Sequence, residues 1–78
     1  MAVVFQSAEL FEQRLHEFKR EIARGLTVEV RRRTAEELIH ELPNVSGLTA
    51  ERQADYYKYL CCIRDRANAA LEPSRQAS

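Results

Sequence analysis

Phe11, Leu15, Phe18 and Ile22 recur at steps of four, three and four, and Tyr56, Leu60, Ile63, Ala67 and Ala70 at four, three, four and three. Residues spaced this way share one face of an α-helix but would fall on both faces of a strand. Each end of the chain therefore reads as an amphipathic helix whose apolar stripe must be covered by something else. In the first segment that stripe is flanked by Glu12, Arg14, Glu17, Lys19 and Glu21. The last segment has the spacing of a heptad seam.

The boundaries of both helices are signalled. Ser7 is a natural N-cap, and Glu9 stands in the first turn, where the helix dipole favours an anion. Gly25 suits the left-handed position that closes a helix, and Arg24 complements its negative end. These signals predict a first helix over about 8–24. Thr49 caps the last one, with Glu51 in its first turn, and Leu71 extends the stripe until Pro73 ends it. That gives a helix over about 50–71 and a polar tail at 73–78.

The middle of the chain, GLTVEVRRRTAEEL at 25–38, admits two readings. Val28 and Val30 alternate with Glu29 and Arg31 as in a half-buried strand, and Thr34 to Glu37 has the form of a capping box that would start a helix only at 35. Against this, Gly-Leu-Thr occurs at both 25–27 and 47–49, each time just ahead of a first-turn glutamate. If the first copy acts like the second, Thr27 opens a helix over about 28–42, ended by Pro43. Its buried face would be Val28, Ala35, Leu38, Ile39 and Leu42, with Arg31 and Arg32 flanking it and Arg33 pointing away. The repeat favours the helix, although β-branched Val28 and Val30 keep the extended form in play.

The expected fold is all-α, a three-helix antiparallel bundle in one domain spanning 1–78, preceded by a short β-prone segment, AVVF at 2–5. A chain of 78 residues buries only a modest core, and the three stripes leave Val3, Val4 and Phe5 unused. Those three residues are read as a partner or self-association surface, and the protein as an oligomer or part of a complex.

Charge is balanced, twelve basic residues against twelve acidic, which argues against a protein held to nucleic acid by bulk charge. It is unevenly spread, however. Residues 19–33 carry Lys19, Arg20, Arg24, Arg31, Arg32 and Arg33 against Glu21 and Glu29, and Glu36, Glu37 and Glu41 follow with no Lys or Arg among them. Such polarity is ordinarily a solvated helix face; it also suits a charged partner or a second copy of the chain. Arg31, Arg32 and Arg33 are accordingly candidate partner-binding residues beside Val3, Val4 and Phe5.

Little points to chemistry. Cys61 and Cys62 are adjacent and make no metal-binding spacing, and His16 and His40 are distant from one another in sequence. There is no Gly-rich phosphate loop and no nucleophile beside a plausible histidine base. The expectation is a non-enzymatic protein without metal or cofactor. MAVVF is too short for the apolar core of a signal peptide, and no apolar run reaches membrane-spanning length, so a cytoplasmic protein is expected, with Asn44-Val45-Ser46 a chance sequon.

A nucleic-acid reading competes with protein docking. Residues 20–38, REIARGLTVEVRRRTAEEL, have some of the character of a helix-turn-helix, in which a second, arginine-bearing helix enters the major groove. The departures are Thr27 where a turn glycine is usual, and Glu36, Glu37 and Glu41 crowding the second helix.

AELFEQRLHEFKREIARGL at 8–26 and ERQADYYKYLCCIRDRANAALE at 51–72 resemble the small helical proteins encoded among tailed-bacteriophage structural and assembly genes. The likeness lies in general pattern, with an amphipathic first helix ending in a basic residue and Gly, and a last helix of Tyr-x-x-Leu and Ile-Arg type. It covers about half the chain, holds no diagnostic motif and carries over no residue role. It implies a virion or assembly accessory protein, or a phage-borne inhibitor of a host protein. The expected function is a non-catalytic protein–protein interaction module; the alternative is a nucleic-acid-binding regulator using Arg31, Arg32 and Arg33.

Overall fold

A computed structural model describes residues 7–71, which form three α-helices: α1 (Ala8–Arg24), α2 (Val28–Glu41) and α3 (Ala50–Leu71). A 3-10 turn at Leu42–Asn44 follows α2 directly. Among the described residues there is no strand; the one isolated bridge pairs Ser7 with Ser46. Val3, Val4 and Phe5, the β-prone stretch at 2–5 and the tail at 73–78 lie outside the described residues.

Three hydroxyls start the three helices. Ser7 accepts from the Leu10 N–H at 3.3 Å, Thr27 from Val30 at 3.3 Å and Thr49 from Arg52 at 3.1 Å. Each satisfies one of the N–H groups that a helix start leaves without an intrahelical acceptor. Thr27 thereby decides the middle segment: residues 28–41 are helical, with Thr34 in mid-helix. The Ser46 carbonyl accepts from the Ala8 N–H at 2.8 Å, tying the α2–α3 connection to the start of α1.

The turn between α1 and α2 is closed from both sides. Gly25 adopts φ 111°, the left-handed conformation that glycine reaches without a Cβ penalty. There its N–H donates to Ile22 at 3.1 Å, and that of Leu26 donates to Glu21 at 3.2 Å, so two terminal carbonyls of α1 are satisfied. Leu26 packs on the core beside Ile22.

The core is built from α1 by Phe11, Leu15 and Phe18, from α2 and its turn by Ala35, Leu38 and Leu42, and from α3 by Leu60, all essentially without solvent contact. Tyr56, Ile63, Ile39, Val45 and Leu48 pack around it, half-buried. The closest backbone approach is between α2 and α3, which a fully buried alanine at position 35 permits. α1 stands further off, and its phenylalanines bridge the distance. Removing one such side chain costs about 3–5 kcal/mol, most of the stability of a domain this size.

Two details differ from the sequence reading. α2 ends at Glu41, one residue early, and Leu42 begins the 3-10 turn: Pro43 has no N–H with which to continue the ladder. Ala70, expected in the seam of α3, is exposed. α3 has 22 residues against 17 in α1 and 14 in α2, so its last turn outruns the helices that cover the rest of it.

Candidate interaction surface

The three arginines of α2 share a helix but not a role. Arg31 folds back, and its Nη2 donates to the Leu26 carbonyl at 3.0 Å, bracing the α1–α2 turn. Its Nε is buried without an acceptor. Arg32 donates through Nη1 to Glu36 at 3.3 Å, four residues on along the same helix. Arg33 is exposed and makes none of the ion pairs of the described residues. Three consecutive cations thus become a structural brace, a partly neutralised pair and one open charge.

A polar clasp joins α1 to α3. Glu12 Oε2 accepts from Tyr56 Oη at 2.6 Å and from Arg52 Nη1 at 3.0 Å. The Tyr56 ring lies 6.0 Å from that of Phe11, so one side chain contributes to both the core and the clasp. The hydrogen bond to Glu12 raises the Tyr56 phenol above its ordinary value, and burial and the Glu12 charge add to the rise. Nearby, the Lys19 ammonium sits over the Tyr59 ring at 4.8 Å, while burial raises the Tyr59 phenol. Arg14 and Glu41 pair at 2.6 Å between α1 and the end of α2. All of these groups hold helix to helix.

The opposite side of α3 is different. Ala50, Ala54, Tyr57 and Cys61 recur at four, three and four, a second apolar stripe turned away from the core stripe of Tyr56, Leu60, Ile63 and Ala67. Tyr57 is 52% exposed, Ala50 and Ala54 are open to solvent, and Cys61 is half-buried. At one end the stripe borders a groove of ≈ 310 Å³ lined by Ile39, Pro43, Ala50, Ala54 and Tyr57. Beyond Tyr57 it opens onto a shallower surface with Lys58, Cys61, Cys62 and Asp65. Small residues on either side of one large aromatic let another helix or chain approach closely while the ring fills a hollow.

Among the described residues no three His, Cys, Asp or Glu side chains come together as metal ligands would, and no helix is long and apolar enough to cross a membrane. His16 and His40 are both exposed, on separate helices. Both cysteines are free. Comparison with protein-family models, curated proteins and solved structures finds no match.

The spacing that puts Tyr56 in the seam does not by itself mark the outer stripe. The signal was there: 50, 54, 57 and 61 repeat the step pattern of the core residues, rotated around the helix. The core stripe, carrying Leu60 and Ile63, is the bulkier of the two and masks the outer one.

Proposed function

We propose that the protein is a small, non-catalytic, oligomeric helical module that docks onto protein through the outer face of α3. The carrying observation is the second stripe, with Ala50, Ala54 and Tyr57 open to solvent and Cys61 half-buried, on a helix whose other face already completes the core. A helix apolar on two sides is otherwise buried on two sides. The contacts Arg14–Glu41 and Glu12–Tyr56 support an up-down-up course for the three helices, an antiparallel bundle with α3 at its edge. Following the resemblance of α1 and α3, this docking would serve an assembly accessory protein or an inhibitor of a host protein of the tailed-phage type.

The nucleic-acid reading has less support. It needs Arg31, Arg32 and Arg33 as a set, and two of the three are engaged within the chain. Affinity capture from lysate, with and without nuclease, separates the two readings. Protein docking requires retention of a partner that survives nuclease and is lost in Tyr57→Glu. Retention lost on nuclease treatment, or in Arg33→Ala but not Tyr57→Glu, overturns it.

A further inference from the structure

We infer that the outer face of α3 binds a second copy of the same chain, with the two α3 helices antiparallel about an axis near Cys61 and Cys62. The inference rests on the docking surface proposed above and names its occupant.

The outer stripe has a full heptad frame. Ala54, Cys61 and Asn68 are seven apart, and so are Ala50, Tyr57, Arg64 and Leu71, four residues ahead of or three behind the first set. These are the a and d positions of a two-helix seam. The flanks of that seam are unequal. On one side, at g, stand Leu60 and Ala67, both buried in the protein's own core. On the other, at e, stand Lys58 and Asp65, both exposed. Parallel helices set g of one against e of the other, and here the g side is occupied. Antiparallel helices set e against e and g against g, so the two exposed flanks meet each other and the two bundles lie together on the other side of the seam.

That flank is self-complementary. Reversing the helix about an axis near Cys61 and Cys62 brings Lys58 opposite Asp65 of the second copy, and the symmetry makes the pair twice. Displacing the register by one heptad toward the start of α3 would bring Lys58 against Lys58 and lose both attractions. Arg64, also near the axis, holds its own Asp65 at 3.3 Å, so this carboxylate would be shared between Arg64 and Lys58 of the second copy. The chain has no net charge to oppose the meeting of two copies.

The seam residues also fit by size in the same register. Leu71, 44% exposed at the end of α3, falls over Ala54 of the second copy, at the groove lined by Ile39, Pro43 and Ala50. Tyr57 falls over Asn68. A large residue at one end of the seam thus meets a small one and a hollow at the other. This also accounts for the last turn of α3 outrunning its own bundle.

The test is a mixing experiment on the full chain by sedimentation equilibrium, from micromolar to millimolar. Wild type is expected to associate reversibly to a dimer. Lys58→Asp leaves two acidic flanks and Asp65→Lys two basic ones, and each alone should dimerise about tenfold more weakly or worse. An equimolar mixture of the two should recover wild-type affinity as a heterodimer, and Tyr57→Glu should be monomeric. All three positions are solvent-exposed apart from the ring's partial contacts, so circular dichroism should show an unchanged helix signal.

A wild type that stays monomeric throughout overturns the inference, as do single charge reversals that dimerise like wild type or a mixture that fails to recover. A monomeric wild type that still captures a partner from nuclease-treated lysate through Tyr57 leaves the docking reading standing without self-pairing. Absence of both removes both.

Discussion

Tyr56 on α3 donates its phenolic hydrogen to Glu12 on α1 at 2.6 Å, and the same carboxylate oxygen receives Arg52. A hydrogen bond to an ionised acceptor is stronger than a neutral one, but this one is only partly shielded from water. Tyr56→Phe keeps the ring against Phe11 and removes only the bond, so about 1 kcal/mol of stability should be lost in urea denaturation.

The same bond sets a dependence on pH. The phenol of Tyr56 is raised above its ordinary 10.0, with the hydrogen bond to Glu12 the largest cause. A group whose folded value exceeds its unfolded value stabilises fully below the unfolded value and loses that contribution as pH rises through the folded one. The stability gap between wild type and Tyr56→Phe should therefore be constant from neutral pH to about 9 and close above the ordinary phenol range. Urea curves across that range check it, and a gap that widens with alkalinity would contradict it.

Arg31 and Arg33 should separate cleanly. Arg31→Ala removes the donor to Leu26 and frees the α1–α2 turn, at a cost of about 1–2 kcal/mol. Arg33→Ala, on an exposed side chain, should stay within about 0.5 kcal/mol of wild type. Equal thermal shifts for the two would show that Arg31 does not brace the turn.

At Gly25 nothing lies within 4 Å of where a Cβ would stand, so a substitution there meets conformational strain and no clash. Gly25→Ala should cost about 1 kcal/mol, and Gly25→Asn less, because asparagine tolerates the left-handed region. Chemical denaturation of the pair measures the difference.

How much of this was legible depended on what each feature needs. Gly25, Thr27 and Thr49 act on their immediate neighbours, so their turns and caps could be read from adjacent letters. The cost of Val28 and Val30 in a helix is a few tenths of a kcal/mol each, small against a cap and the burial of Ala35 and Leu38. That is why the helix prevailed over the strand. The fate of Arg31 was not legible, because its acceptor is a backbone carbonyl whose direction is set by the turn geometry at Gly25. The outer face of α3 was hidden for another reason. Spacing alone puts Tyr56 inward with Leu60 and Ile63, but whether Tyr57 on the neighbouring face is covered depends on where α1 and α2 sit.

Tyr57→Glu is the most direct measurement, made as thermal unfolding at low micromolar concentration alongside capture of a protein partner. With the ring outside the core, unfolding should shift by no more than about 0.5 kcal/mol while retention of the partner falls at least tenfold. A variant that unfolds, or one that binds as wild type does, would show that α3 has no docking face there.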